Sequence, residues 1–483
     1  MIPTANDLLR ILPEVVLAGF GILVMMLEPF LGRGGKRALG PLAFLGTVAA
    51  LAATVIQAGH QGYAFGRLLV VDTFSVYLHF LLISITGLSV LASLRYLERE
   101  NIDHAEFYAL LLFGAVGMGI MVSANELVMV FLGLETSSLA SYVLVGFRRT
   151  DGRATEGAMK YFLLGSFATG FLLYGIALLF GAAGSTVLND LAEKLQANSP
   201  GFTLALMGMA LFFVGLGFKV AVAPFQAWTP DVYQGAPSPV TAFLSTGPKA
   251  AAFAVLLRVF WTAFEPATGI WFWLLWGTAA LTMFVGNLGA LVQTNVKRML
   301  AYSSIAHAGY ILVAFAAGNE LGVAAALFYL IAYALMKLGA FSVVAHLSVN
   351  EDHQSLEDYS GLHTRQPALA ACLTVFLLSL IGLPLTGGFL GKFFVFQAAL
   401  RAGLVWLVVL GVLNSILSVP YYLRVVKVMY MGEPRESAAP LAPVPASLAF
   451  VLTLTALGTV YLGILPDAVQ QFVTSSVLSL TLP

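Results

Sequence analysis

Apolar residues run almost without interruption for about twenty positions at a time along most of this chain, and short polar segments separate the runs. A helix of about 20 apolar residues crosses roughly 30 Å of hydrocarbon, and a helix apolar on every face belongs in lipid or among other helices. On that measure the pattern predicts fourteen membrane spans. They cover residues 11–30, 39–58, 73–94, 107–123, 126–147, 160–182, 202–225, 240–261, 271–293, 300–318, 321–347, 368–402, 404–430 and 447–465. The expected fold class is an all-α polytopic membrane protein.

Composition agrees with the pattern. Of 483 residues, 59% are hydrophobic and only 10% charged, which excludes a soluble domain with a polar shell. A formal net charge of zero offers no basic surface for nucleic acid. The single cysteine, Cys372, lies in an apolar run and can form neither an internal disulfide nor a thiolate cluster site, so any iron–sulfur centre belongs to another chain. Seven histidines show no ligand spacing, and no metal site is expected. The first apolar stretch lacks a basic leader and contains Pro13 and Glu14 with Glu28 near its end, which marks it as a retained span rather than a cleaved signal.

Short cytoplasmic loops concentrate Lys and Arg. With the N-terminus outside, the inside loops hold Arg33, Lys36, Arg37, Arg95, Arg99, Arg148, Arg149, Arg153, Lys297, Arg298, Arg365, Arg424, Lys427 and Arg435. The outside segments hold only Arg10, Arg67, Lys194, Arg258 and Arg401. Both termini are therefore predicted on the outer face of the membrane. The loop 350–367, with Glu351, Asp352, His353, Glu357, Asp358 and His363, reads as a solvated or subunit-facing connection, and 188–199 as a short amphipathic one.

Six ionisable residues stand inside the apolar runs: Glu135, Lys160, Lys219, Lys249, Lys337 and Lys392. Each costs about 2.5–3.5 kcal/mol on insertion scales, so such residues are rare unless they line an ion or proton path. Glu135 can instead cap a polar helix contact. Lys160 stands at the predicted inside end of its span, where a lysine snorkels to the interface as readily as it serves a path. Glu106 opens the fourth span, where interfacial and in-path readings weigh equally.

The second half of the chain repeats features of the first. Met159-Lys160 and Met336-Lys337 are five spans apart, as are Gly217-Phe218-Lys219 and Leu390-Gly391-Lys392. Five is odd, so the halves would cross in opposite senses, the inverted arrangement of many transporters. The expected units are 1–104 (spans 1–3), 105–262 and 263–430 (two five-helix repeats), and 431–483 (span 14). Ala223-Pro224-Phe225 and Gly382-Leu383-Pro384-Leu385-Thr386-Gly387-Gly388 mark spans 7 and 12 as broken helices. Irregular backbone at membrane depth persists only where protein buries it or a wet cavity adjoins it.

Phe218-Lys219-Val220-Ala221-Val222-Ala223-Pro224-Phe225, Trp228-Thr229-Pro230-Asp231-Val232-Tyr233-Gln234-Gly235-Ala236-Pro237 and Asn295-Val296-Lys297-Arg298-Met299-Leu300-Ala301-Tyr302-Ser303-Ser304-Ile305 resemble the signatures of the antiporter-like subunits of respiratory complex I and of multisubunit cation/proton antiporters. The Gly382–Lys392 segment resembles the same family, and the likeness runs through almost the entire chain. Within the family it is most similar to the subunit N type of bacterial NADH-quinone oxidoreductase. It lacks the long lateral helix of the subunit L type, and position 392 is lysine where the subunit M type has glutamate.

The resemblance implies a proton-translocating subunit of the bacterial inner membrane that binds no cofactor itself. NADH, FMN, iron–sulfur clusters and quinone would lie on partner subunits, among them other antiporter-like chains. It implies that Glu135 and Lys219 form the pair of a first half-channel, that Lys249 connects, that His307 is a central relay, and that Lys392 ends the second half-channel. Lys160 and Lys337 would be further members of the axis. His307 can also be a hydrogen-bonded core histidine. Gln226 departs from the family, in which histidine often follows the Pro-Phe pair. Two other functions fit parts of the pattern: a sodium or potassium/proton antiporter subunit, and a non-conducting structural subunit. The expected mechanism has Glu135 hold Lys219 charged until a movement separates them, after which the proton passes along the row to Lys392.

Overall fold

The computed structural model describes residues 4–32, 35–195, 200–434 and 441–481. Arg33, Arg435 and the end of the 188–199 connection, residues 196–199, lie outside them. The helices in chain order begin with α1 Ala5–Arg10, α2 Leu12–Leu27, α3 Leu39–Ala58, α4 Thr73–Arg99, α5 Ala105–Ser123, α6 Leu127–Val145 and α7 Gly152–Ala183. They continue with α8 Leu188–Lys194, α9 Phe202–Val220, α10 Trp228–Gly235, α11 Ser238–Trp261, α12 Thr268–Leu291, α13 Val296–Ala316 and α14 Glu320–Leu347. The last are α15 Leu362–Arg365, α16 Pro367–Ile381, α17 Gly387–Arg401, α18 Val405–Met431, α19 Ala446–Ile464 and α20 Asp467–Thr481.

Thirteen of the described helical segments are long and apolar enough to cross a membrane. The expected twelfth span is divided: α16 ends at Ile381 and α17 starts at Gly387, each only 15 residues long. The seventh is interrupted between Val220 and Trp228. Where spans start, side chains take up free backbone donors: Asp72 and Ser75 form a capping box on α4, Asn295 caps α13, and Asn319 caps α14.

Helices α11 and α13 are innermost, each with 94% of its most apolar window buried. Helices α7, α18 and α19 lie outside, with Phe167 of α7 71% and Trp406 of α18 76% exposed. Close approach is secured by small residues. A Cβ on Gly117 of α5 would come 2.5 Å from the Ser137 nitrogen of α6, and one on Gly208 of α9 would come 2.8 Å from the Gly175 oxygen of α7.

Contacts sort the loops by end. Arg99 donates to the His346 and Ser348 carbonyls, Arg148 faces Glu100, Arg153 meets Asp352, and Lys297 meets Glu351, so these segments share one arginine-rich end. Arg67 pairs with Asp190 and Arg258 with Asp72 at the other.

The structure adds a hairpin and a helix to the sequence reading, and it corrects the reading of Glu351. A two-stranded antiparallel hairpin, β1 Gly62–Ala64 and β2 Leu69–Val71, follows α3. An additional amphipathic helix, α20, packs Val473 and Val477 inward, and its Ser479 hydroxyl accepts from the Phe74 nitrogen at the start of α4. Glu351 is not solvated but 2% exposed, because it accepts from Ser238, Gln354, Tyr96 and the fully buried Lys297. Finally, Lys160 lies near the start of α7 and Lys337 beyond the middle of α14, and Lys219 precedes its helix break while Lys392 follows its own. The paired lysines thus do not occupy equivalent places in their helices.

Candidate functional site: a buried row of lysines, tyrosines and a histidine

The first cluster forms where α9 stops. Ala221 adopts a left-handed φ of 60°, the Ala223–Pro224 peptide is cis, and the Phe218 carbonyl accepts from the Ala221 nitrogen at 3.1 Å and from the Trp228 indole at 2.9 Å. The Ala223 nitrogen donates to Thr282 at 2.9 Å. Lys219, on the last turn and 9% exposed, points Nζ over the rings of Tyr142 at 4.9 Å, Tyr161 at 5.1 Å and Phe218 at 5.7 Å. Ring faces attract a cation and replace part of its lost hydration. Its nearest hydrogen-bond partner is the Tyr142 hydroxyl at 3.2 Å. Glu135 lies two turns before Tyr142 on α6, close enough to act electrostatically on Lys219. The two form no direct ion pair, and Glu135 Oε1 is buried without a protein partner.

Lys249, 1% exposed, follows Pro248 inside α11. Proline cannot donate to the carbonyl four residues back, and Tyr233 Oη fills that place by donating to the Leu244 oxygen at 3.3 Å. Lys249 Nζ donates to the Ser304 carbonyl at 2.9 Å and lies 6.0 Å from the Tyr333 ring. Tyr333 Oη has no protein partner, and its ring is 5.5 Å from that of His307.

Helix α13 presents Leu300, Ser303, Ser304 and His307 along one face, the i, i+3, i+4, i+7 spacing of a helical stripe. Lys337, fully buried, donates to Ser303 Oγ at 2.6 Å and to the Leu300 carbonyl at 2.8 Å. Ser303 is hydrogen-bonded to Tyr422 Oη. Tyr422 Oη lies 3.3 Å from His307 Nε2, and Tyr329 Oη lies 2.6 Å from His307 Nδ1. Lys337, Ser303, Tyr422, His307 and Tyr329 therefore form one hydrogen-bonded chain across α13, α14 and α18.

Lys392, in the second turn of α17, reaches back into the second break. Gly382 has a φ of 94°, and Pro384 leaves the Leu380 carbonyl without its helical donor. Lys392 Nζ donates to Leu380 O at 3.1 Å and Ile381 O at 2.9 Å, so a cation caps the C-terminal end of a half-helix, where the helix dipole favours it. The Tyr310 ring covers Nζ at 4.5 Å. Tyr310 Oη accepts from Asn287 at 3.3 Å, Asn287 donates to Asn414 at 3.0 Å, and Tyr421 donates to Asn287 at 2.9 Å. Tyr421 packs on Tyr422 at 4.4 Å between ring centres, which brings this branch back to the His307 chain.

Lys160 stands apart. Its side chain is 41% exposed and ion-paired with Glu156 and Asp231, both at 2.7 Å, while Arg298 shares Asp231. Its neighbour Tyr161 is the residue that reaches Lys219. Gln226 is half-buried, with Oε1 lacking a protein partner. Glu28, His104 and Glu106 bring ligand atoms within 4.8 Å of one another, a grouping their sequence spacing does not reveal; Lys36 already holds Glu28 at 2.6 Å. The sequence reading missed the tyrosines, Ser303, Asn287 and Asn414. The stripe on α13 and the Pro248-Lys249 pair were the available signals.

Such a fold and row define a class: antiporter-like, polytopic membrane proteins with ionisable side chains buried among their helices. The family described as NADH:quinone oxidoreductase/Mrp antiporter, TM, matches residues 124–418. NADH-quinone oxidoreductase subunit N 1 of Solibacter usitatus is 51% identical over 476 residues, covering 98% of each chain. Subunit N of Trichlorobacter lovleyi is 45% identical over 97% of this chain and 96% of its own. A chain of respiratory complex I from Thermus thermophilus superposes with a TM-score of 0.82 at 38% identity, covering 96% of this chain and 99% of its own. A chain of the Mrp complex from Dietzia shares the fold, with a TM-score of 0.86 at 21% identity. The chain belongs to the NADH:quinone oxidoreductase/Mrp antiporter family of membrane subunits, and within it to the subunit N group.

Proposed function

We propose that this chain is the proton-translocating subunit N of an NADH:quinone oxidoreductase, driven by redox chemistry on other subunits. The observation that carries this reading is the burial of Lys219, Lys249, Lys337, Lys392 and His307 at 9% exposure or less, with Lys337 and His307 joined through the Ser303 and Tyr422 hydroxyls. Four lysines without a carboxylate in direct contact are too costly to serve as scaffold. Helix ends, ring faces and bare carbonyls lower the cost of their charge without cancelling it, and each lysine can therefore give up its proton when its surroundings shift.

Lys219 rests on Tyr142 in the separated arrangement, from which its proton passes toward Lys249. Lys249, Lys337 and His307 share the α13 stripe, and Lys392 terminates the row at the second break. Glu135 recharges Lys219 when α6 and α9 close. Lys160, held by Asp231 and Glu156 near the arginine-rich end, serves uptake rather than the buried row. NADH, FMN, iron–sulfur clusters and quinone belong to partner subunits. The arginine-rich end faces the cytoplasm, which puts both termini outside, and residues 105–262 and 263–430 form the two inverted units despite the unequal placement of their lysines. Full-length identity to subunit N relatives favours this reading over a sodium or potassium antiporter subunit. The test is the assembled enzyme carrying Lys219→Ala, reconstituted in vesicles. We expect quinone reduction to continue with fewer protons moved per electron pair; an undiminished proton yield would remove Lys219 from the path.

A further inference from the structure

Helices α2 to α5 carry none of the row's lysines, yet they bury a titratable pair of their own. Glu14, in the first turn of α2, and His79, in α4, are 6% and 1% exposed, and His79 Nε2 stands 2.6 Å from Glu14 Oε1. The other ring nitrogen, Nδ1, lies 2.7 Å from the Ser75 carbonyl oxygen. A carbonyl only accepts, so Nδ1 carries a hydrogen. At 2.6 Å the remaining nitrogen and the carboxyl oxygen need a proton between them. The pair thus holds one proton in addition to the Nδ1 hydrogen, whether drawn as imidazolium with carboxylate or imidazole with carboxylic acid.

Two features distinguish it from a simple clamp between helices. Glu14 Oε2 is buried with no protein partner, which a fixed ion pair would leave at a cost in stability. The Ser75 side of the pair is also tied to the helix that bears Lys249. Ser75 N donates to Asp72 Oδ1 at 2.8 Å, and Arg258 of α11 grips both Asp72 oxygens at 2.8 and 2.9 Å while donating to the Val122 carbonyl at 3.2 Å. Asp72 and Arg258 are the charged groups beside the pair and neutralise each other. Gly119 of α5 closes the third side, where a Cβ would stand 2.7 Å from Glu14 Oε1 and 3.1 Å from His79 Nε2.

We propose that Glu14 and His79 form a second proton-binding site, filled and emptied during turnover and coupled to the Lys249 helix through Arg258, Asp72 and Ser75. The proposal rests on the proton-translocation reading of the chain. Emptying sends one proton to water at the nearby helix ends, opposite the arginine-rich face, with no electrons exchanged. A carboxylate is then left facing the bare Nε2 lone pair, so α2 and α4 part, and refilling draws them together. Proton occupancy and helix position are thereby the same event.

The test uses the assembled enzyme in vesicles. Glu14→Gln keeps a hydrogen bond to His79, since the amide donates to Nε2, but removes the exchangeable proton. Gly119→Ala keeps both titratable groups and wedges them apart. We expect either variant to assemble and reduce quinone while losing part of the proton yield per electron pair, and Glu14→Gln to erase a carboxyl band from redox-induced infrared difference spectra. Wild-type yield in Glu14→Gln with an unchanged spectrum would overturn the proposal. So would loss of assembly in both variants, which would identify a structural clamp. If Lys249→Ala abolishes pumping while Glu14→Gln does not, this site alone is refuted and the lysine row stands.

Discussion

Tyr422 holds the centre of the row together, because its hydroxyl is the only described group that touches both Ser303 and His307. Tyr422→Phe keeps the ring and its packing on Tyr421 but breaks the chain between Lys337 and His307. Leaving a buried polar partner unsatisfied costs about 1–3 kcal/mol, which a large helical protein tolerates. We therefore expect Tyr422→Phe to assemble normally and to lower proton yield per electron pair; equal yield would mean protons bypass His307. The burial of Lys219, Lys249, Lys337 and Lys392 was legible in the sequence because a charge deep inside an apolar run is costly and rare. Tyr422, Tyr329 and Tyr310 were not. Tyrosine is apolar enough for any buried helix, and only packing shows which hydroxyls meet. Lys160 stayed open between interface and path in the sequence, because Asp231, the partner that pairs with it, is 71 positions away.

The row depends on how helices end. At α16 the missing donor of Pro384 and the left-handed Gly382 leave carbonyls that Lys392 takes up, and at α11 Pro248 frees a carbonyl that Tyr233 takes up. Both interruptions lie beside a lysine, and proline and glycine advertise them in the sequence. The Glu351 hub was hidden because the segment reads as a polar loop. It fastens α4, α11 and α13 through Tyr96, Ser238 and Lys297. Burial pushes the Glu351 carboxyl up, but the Lys297 ammonium and its hydrogen-bond donors outweigh burial and hold it below the ordinary carboxylate value. A carboxyl lowered on folding adds stability above its unfolded value and loses it as pH falls through the depressed one, so this fastening holds throughout the neutral range. Lys297→Met alone should destabilise the chain by about 3–5 kcal/mol by stranding a buried carboxylate, and adding Glu351→Leu should restore much of that loss. Thermal denaturation of the purified assembly measures both; equal losses in the single and double variants would contradict the account.

For the whole molecule, the fold class and thirteen of the fourteen expected spans were plain from hydropathy, the twelfth being divided into two short helices, and the boundaries moved by only a few residues except at the start of α7 and around the breaks. The hairpin and α20 escaped because neither is long enough to cross a bilayer, and both lie across the ends of spans. The proposed sidedness, with the arginine-rich end facing the cytoplasm, is open to direct test. Gly152 and Gly269 have open space where a Cβ would stand and lie at opposite ends. In a Cys372→Ala background, Gly152→Cys should react with a membrane-impermeant thiol reagent only from the cytoplasmic side, and Gly269→Cys only from outside; the reverse pattern would invert the assignment.

The central claim is that protons cross by way of the buried lysines. Lys249 tests it most directly, since it lies at the centre of α11, donates to α13 and has no carboxylate partner within ion-pair distance among the described residues. The decisive measurement is the number of protons moved per electron pair in reconstituted enzyme carrying Lys249→Ala, at an electron flux matched to wild type. The account predicts a clear loss of proton yield with assembly intact. A yield equal to wild type would contradict it.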